Sequence, residues 1–206
     1  MLLVTLPAAA ARGQNTHPPP DPAPAGETRG EGPVRTLAWA RENLATSYAL
    51  AGVRSVRLTG SIADDLNDTT TASGALGVSW FLYDSFEAGV ELGAWHFNQP
   101  GDNAGALSIS GMARWHFLVD DDRDWTLFLD GGMGLLYADP SVPGDGSQFN
   151  FLPRLGAGAT YRLTHDGARL EAGIAWQHVS NARIFGDQDN PGLDSVRLFV
   201  GLIFPF

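Results

Sequence analysis

From Gly52 onward, apolar and polar residues alternate with a period of two, and the alternation continues to the last residue of the sequence. This period places successive side chains on opposite faces of a β-strand. In residues 149–163, for example, the odd positions are mostly apolar or aromatic, whereas the even positions carry small residues and two arginines. The pattern predicts eight strands, at about 52–62, 71–83, 86–97, 106–119, 124–137, 148–163, 168–180 and 194–206.

The polar face of these runs is unusual for a soluble sandwich, in which an outward polar face would carry Lys and Glu freely. Here it consists of Gly, Ser and Thr, interrupted by charges that can pair in a narrow barrel interior. These charges are Arg57, Arg114, Arg154, Arg162, Arg169, Arg197, Glu87, Glu91, Asp130 and Glu171. Aromatic residues cluster near the predicted strand ends, as they do in membrane-interface girdles: Trp80, Trp115, Trp125, Tyr137, Tyr161 and Trp176. The apolar face is therefore expected to face lipid.

The connections between the runs alternate in length. Short turns at 84–85, 120–123 and 164–167 alternate with longer polar segments, which is typical of bacterial outer-membrane barrels. Phe206 ends the last aromatic strand and resembles an assembly signal of such barrels. The sequence thus predicts an all-β fold, an eight-stranded antiparallel transmembrane barrel of the outer membrane over residues 52–206. The competing structure is a soluble eight-stranded carrier of the lipocalin type, which would stay in solution without detergent.

Composition excludes several classes of function, and it indicates the nature of the residues that precede the predicted barrel. The 206 residues suit one domain, and the absence of cysteine excludes thiolate catalysis, disulfides and thiolate metal sites. A formal net charge of −10 argues against a nucleic-acid partner, and no histidine cluster has metal-ligand spacing, so neither metal nor cofactor is expected. Residues 1–12 resemble the remnant of a secretory signal peptide. Residues 13–51 form a predicted Pro/Gly-rich spacer, with a possible short helix within 35–50.

Candidate chemistry lies at the end of the seventh run. Its even positions form the outward stripe, so His178 and Ser180 are expected to face lipid near the longer loops, where polar groups cost free energy unless they are satisfied. Asp194 has the outward phase in the adjoining run and lies at the same rim. The three residues suit a base, a nucleophile and an orienting acid on the outer wall. Backbone N–H groups near Asn181 and Ala182 suit an oxyanion site. The alternative interpretation is a polar strand end that bonds headgroups or water.

The segments "HVSNA" and "NPGLDS", followed by a terminal aromatic strand, resemble the lipid A 3-O-deacylase family of outer-membrane barrels. The likeness lies in the motifs of residues 178–195 and in the architecture of about 52–206. It implies an eight-stranded barrel that hydrolyses the ester-linked 3-position acyl chain of lipid A with a Ser/His/Glu triad on its exterior. The resemblance implies Ser180 as nucleophile and His178 as base, Asn181 and Ala182 at the oxyanion site, and Asn190 and Gly192 in the loop motif.

Two side chains depart from the family pattern, and the loop between the two motif segments is about two residues longer than is typical. Asp194 stands where the family has Glu, and it is one methylene shorter; Asp187 or Asp189 from the loop are alternative acids. Arg183 follows Ala182 where a small residue is usual, and it either meets a lipid A phosphate or extends to the interface as an ordinary snorkelling arginine.

The expected function is that of an outer-membrane serine esterase with a site at the outer-leaflet rim. Its expected partners are lipid A or lipopolysaccharide and the outer membrane itself, and a homo-oligomer is possible. The alternatives are a non-catalytic structural or adhesive barrel with a decayed motif and, less favoured, a narrow pore. If the triad assembles, His178, Ser180 and Asp194 should lie within hydrogen-bonding reach outside the barrel.

Overall fold

The computed structural model describes residues 44–184 and 191–206. Within these residues the chain forms one short helix, α1 (Leu44–Ser47), and nine strands. The strands are β1 (Arg54–Asp64), β2 (Thr70–Tyr83), β3 (Phe86–Asn98), β4 (Ala104–Val119), β5 (Trp125–Val142), β6 (Ser147–Phe151), β7 (Arg154–Arg162), β8 (Arg169–Val179) and β9 (Leu193–Pro205). In this part of the chain, helices of the length and hydrophobicity needed to cross a membrane are absent.

The strands form one closed antiparallel sheet. Each strand pairs with the next strand position along the chain, and β1 pairs with β9 to close the ring. Both β6 and β7 pair with β5, so together they fill one strand position and the barrel has eight. The predicted eight-stranded antiparallel barrel is confirmed.

The division between β6 and β7 follows from Pro153, which has no N–H to donate to the sheet. On either side of it the register with β5 and with β8 is unchanged, as the pairs of Phe151 and Arg154 show. Leu152 still exchanges two backbone hydrogen bonds with Gly134, and the Pro153 carbonyl accepts a hydrogen bond of 3.0 Å from the His178 N–H. The proline therefore interrupts the strand without shifting it.

The two faces of the barrel wall agree with the predicted phase. Large apolar side chains on the outer face are exposed, among them Ile62, Leu92, Leu107, Leu155, Ile174 and Leu198. The aromatic residues predicted as girdles lie on the same face, each between 38% and 58% exposed. An outward apolar band is what a transmembrane barrel presents to lipid.

Paired charges fill the middle of the interior. Arg57 Nη2 lies 2.8 Å from Glu87 Oε1, while Arg114 lies 2.7 Å from Glu171 and 2.9 Å from Asp130. Arg154 pairs with Glu91 in the same way, and Arg197 completes the set. The cavity that remains among these side chains has a volume of about 10 Å³, close to the space of a single water molecule. A filled interior of this kind does not suit the narrow pore.

The short-turn end of the barrel is closed by the residues that follow α1. Tyr48, Leu50 and Val53 are buried and pack against Phe81 and Ile203. The centre of the Tyr48 ring lies 4.0 Å from the guanidinium carbon of Arg169. The backbone carbonyl of Tyr48 accepts a hydrogen bond from the Arg123 side chain. Burial raises the pKa of the Tyr48 hydroxyl, so it stays protonated beneath the charged interior. The last residues of the predicted spacer thus belong to the folded barrel, whereas residues 1–43 lie outside the described chain.

The connection between β5 and β6 differs from the sequence expectation. The prolines at 140 and 143 and the glycines at 144 and 146 predict a loop over 138–147, yet β5 continues to Val142 and pairs with Ser147. The Asn150 amide donates hydrogen bonds to the carbonyls of Val142 and Ser147, which holds the two strands together above the rim. This hairpin leaves a loop of only 143–146.

Replacing Arg114 with Met should strongly destabilise the barrel, because Asp130 would stay buried without its cation and Glu171 would keep only its longer contact with Arg57. Loss of one partner from a buried ion pair costs about 3–5 kcal/mol. The free energy of unfolding, measured by urea titration in detergent micelles with tryptophan fluorescence, checks this value. Arg54→Met, at an exposed position, is the matched control and should change it by less than about 0.5 kcal/mol. Equal effects of the two substitutions would contradict a supporting role for the ion pairs.

Candidate functional site

The candidate site lies on the outer wall where β8 ends and β9 begins. In the antiparallel register of these strands, His178 is directly opposite Asp194, and Trp176 is directly opposite Val196. Residues directly opposite each other on one face have Cβ atoms about 4.5–5.5 Å apart, close enough for short side chains to touch. The register therefore brings the predicted base and the predicted acid together.

The His178 ring is oriented by Asp194. Its Nδ1 lies 2.9 Å from Asp194 Oδ1, so the carboxylate accepts the Nδ1 proton and leaves Nε2 as the basic nitrogen. The His178 side chain is 26% exposed and that of Asp194 is 65% exposed. Because the two residues are directly opposite, the shorter aspartate reaches the ring without the strand shift that a missing methylene would otherwise require.

Trp176 also contacts this pair. Its indole N–H donates a hydrogen bond of 2.8 Å to the same Asp194 Oδ1, and its ring stacks on that of His178 with centroids 5.9 Å apart. The sequence places Trp176 on the outer stripe only as a girdle residue. Its position diagonal to Asp194 is a consequence of the cross-strand register, which single-strand periodicity does not contain.

Ser180 follows β8 by one residue and continues its phase. Its backbone exchanges two hydrogen bonds with Phe151, and the resulting bridge keeps the β8 register. The residue is 8% exposed. In the part of the chain that the structure describes, its hydroxyl makes no hydrogen bond with His178 or with any other group. The structure thus joins His178 to Asp194 but leaves Ser180 outside that hydrogen-bonded pair.

The chain turns sharply after Ser180, and Asn181 stabilises the turn. The Asn181 side-chain oxygen accepts a hydrogen bond from the Arg183 N–H, and its carbonyl accepts one from Ile184. Ala182 and Arg183 have positive φ angles of 52° and 64°, a conformation that non-glycine residues adopt at a cost. The Ala182 N–H donates to no acceptor within residues 44–184 and 191–206.

Gly192 lies against the opposite edge of the imidazole. A Cβ built on this residue would be 3.2 Å from His178 Cε1 and 3.8 Å from Nε2. Its φ of +72° also favours glycine. The close approach explains why this loop position has no side chain. Asn190, the other predicted loop-motif residue, lies outside the described chain, as do the alternative acids Asp187 and Asp189.

An apolar groove of about 600 Å³ lies on the outer wall, and one of its lining residues, Val196, is two positions from Asp194 on the same face of β9. Ile174, Val196 and Leu198 line its near side, on β8 and β9. His96 and Asn98 of β3 line its far side, beyond the outer faces of β1 and β2. The site thus adjoins a surface that can hold a hydrocarbon chain beneath a polar edge.

Comparisons with known proteins agree with this fold. The family model described as lipid A 3-O-deacylase (PagL) matches residues 60–202. Among solved structures, the chain is similar to the outer membrane enzyme PagL, with 22% identity and a TM-score of 0.50 over 73% of this chain and 99% of that one. It is also similar to Neisserial surface protein A (NspA), with 17% identity and a TM-score of 0.55 over 75% and 96% of the two chains. No curated protein matches it.

Replacing Gly192 with Ala should displace the His178 ring from Asp194, because the new methyl group would press on Cε1 at 3.2 Å. We expect the Nδ1 proton resonance of His178, assigned by its absence in His178→Ala, to move or vanish in NMR spectra. Gly101→Ala is the control, since Gly101 also has a positive φ, of +84°, but open space around its Cβ. Both variants should lose about 1–2 kcal/mol of stability from backbone strain. An unchanged His178 resonance in Gly192→Ala would show that the loop does not support the ring.

Proposed function

Because the chain belongs to the lipid A 3-O-deacylase family, we propose that it is an outer-membrane esterase that hydrolyses the ester-linked acyl chain at position 3 of lipid A. The observation that carries the proposal is the hydrogen bond between His178 and Asp194 on the lipid-facing wall. His178 precedes Ser180 by two residues in the sequence. A polar cluster on this face costs free energy, which an enzymatic role accounts for.

In the proposed mechanism, His178 acts as the base through Nε2. Asp194 accepts the Nδ1 proton, which selects the tautomer with a free lone pair on Nε2 and stabilises the imidazolium that forms later. Ser180 Oγ attacks the ester carbonyl carbon while its proton passes to Nε2. This step requires the Ser180 hydroxyl to turn to within about 2.6–3.2 Å of Nε2 when substrate is bound.

The remaining steps use the same groups. The ester C–O bond breaks, and His178 returns the proton to the departing 3-hydroxyl of the sugar. A water molecule, deprotonated by His178, then releases the fatty acid from Ser180. The open N–H of Ala182, in the turn that Asn181 stabilises, supports an oxyanion role for this segment, because it lies next to Ser180 and donates to no protein acceptor among the described residues.

The placement of the groove supports a lipid substrate. Its near side, formed by Ile174, Val196 and Leu198, is apolar, and Val196 is two positions from Asp194 on the same face of β9. The cluster lies at the end of the barrel with the longer loops, and we assign this end to the outer leaflet. A lipid A molecule in that leaflet would bring its acyl esters to the height of Ser180 with its chains along the apolar wall.

The second candidate is a non-catalytic barrel with a decayed site. The observation that favours it is the separation of Ser180 from the hydrogen-bonded His178–Asp194 pair. Asp194 in place of the family glutamate points the same way. The two candidates differ in whether the lipid A of cells that produce the protein loses an acyl chain.

Lipid A from Gram-negative cells that produce the wild-type protein should lose the mass of one ester-linked acyl chain in mass spectrometry. Ser180→Ala should abolish this change, since loss of the nucleophile of a Ser–His pair lowers kcat by a factor on the order of 10⁶. Ser141→Ala, a serine at the same end of the barrel, is the matched control and should behave as wild type. Comparable barrel levels in the outer membrane are verified for all three. Intact lipid A in cells that produce the wild-type protein would favour the second candidate, the non-catalytic barrel, and loss of the chain with Ser180→Ala would exclude Ser180 as the nucleophile.

A further inference from the structure

Asp194 is held by two donors rather than one. The His178 Nδ1 and the Trp176 Nε1 lie 2.9 Å and 2.8 Å from the same oxygen, Oδ1. The two rings are stacked, with an angle of 21° between their planes. We propose that Trp176 is a positioning residue of the deacylase site, which holds the short Asp194 carboxylate against His178. This inference rests on the proposed function and concerns the same site.

The need for a positioning group follows from the exposure of the acid. The Asp194 side chain is 65% exposed, so few protein atoms pack around its carboxylate and hold it in one orientation. An aspartate at such a site is free to turn its carboxylate away from the imidazole. A second donor on Oδ1 restricts that rotation, because both hydrogen bonds form only when the oxygen lies within reach of the N–H groups of both rings.

The cross-strand geometry explains why a tryptophan serves this purpose. Trp176 is opposite Val196, so it reaches Asp194 along a diagonal of the β8–β9 pair. Diagonal neighbours are about 7–8 Å apart, which only aromatic and other long side chains can bridge. The indole combines this reach with a single N–H donor and a flat face for the His178 ring. It is a donor only, so it cannot compete with Asp194 for the Nδ1 proton.

The hydrogen bond from Trp176 also bears on the presence of aspartate, rather than glutamate, at position 194. Asp194 reaches His178 from directly across the strand pair and has one carbon fewer with which to adjust its carboxylate than a glutamate would have. The Trp176 N–H fixes the orientation that the short side chain adopts.

The test compares Trp176→Phe with wild type in purified, detergent-solubilised full-length protein, with lipid A as substrate. Phenylalanine keeps an aromatic ring next to His178 but lacks the N–H donor and one of the two fused rings, a loss of ring atoms that the control below shares. We expect kcat to fall by about 10- to 100-fold, the equivalent of one hydrogen bond to a charged group, with KM changed by less than about 2-fold. Trp115→Phe removes another exposed outer-face indole, whose ring contacts Phe117, and should leave both constants at the wild-type level.

A spectroscopic signal separates positioning from a general structural effect. The Nδ1 proton resonance of His178 should shift in Trp176→Phe, in the same direction as in Asp194→Asn, and it should stay in place in Trp115→Phe. In the reverse direction, the Trp176 indole proton should shift in Asp194→Asn. A kcat within about 2-fold of wild type in Trp176→Phe, a loss confined to KM, or an unmoved His178 resonance would each overturn the proposal.

Failure of the proposed function gives a different result. If wild-type protein leaves lipid A intact while the His178 and Trp176 resonances still respond to each other's substitution, the positioning contact stands and the deacylase assignment falls. If wild type is active and Ser180→Ala is not, but Trp176→Phe is indistinguishable from wild type in kcat and in the His178 resonance, only the role of Trp176 is refuted.

Discussion

The structure depends on the closure of its backbone hydrogen bonds. In the hydrocarbon layer an N–H or C=O group has no water to bond, so a sheet can cross the membrane only if its first and last strands pair. Here β1 and β9 do so over ten residue pairs. Closure gives every strand an outer and an inner face, and the period of two then assigns each side chain to lipid or to the interior. The positions of the ion pairs and of the candidate site both follow from this assignment.

The interior and the outer wall place opposite demands on polar residues. Inside, Arg57 and Arg114 each contact more than one carboxylate, so the charges are compensated by their neighbours. On the outer wall a polar residue faces lipid. His178 and Asp194 are nevertheless found there, on the wall that carries the apolar groove. The paired interior supports a rigid wall, and a rigid wall keeps the register that sets His178 opposite Asp194.

Part of the candidate site is positioned by the pairing of strands in the sheet, and the rest is positioned by the turn and loop that follow β8. The His178–Asp194 pair belongs to the β8–β9 ladder and the Ser180 backbone continues it through its bridge to Phe151, whereas Asn181 and Ala182 belong to the turn that follows. Gly192 enters from the other side of the loop and reaches the ring edge that carries Nε2. In the proposed mechanism, substrate binding at the rim is the event that turns the Ser180 hydroxyl toward His178.

The sequence by itself determined the strand runs, the faces of the barrel and the shared outward phase of His178 and Asp194, because a period of two is a local property of each strand. It also identified the family motif. Only the tertiary structure decided the contact of Trp176 with Asp194, the approach of Gly192 to His178 and the closure of the barrel end by Tyr48. It also showed that β5 and β6 extend beyond their predicted ends. These features depend on register and on contacts between distant segments, which the pattern within a single strand does not encode.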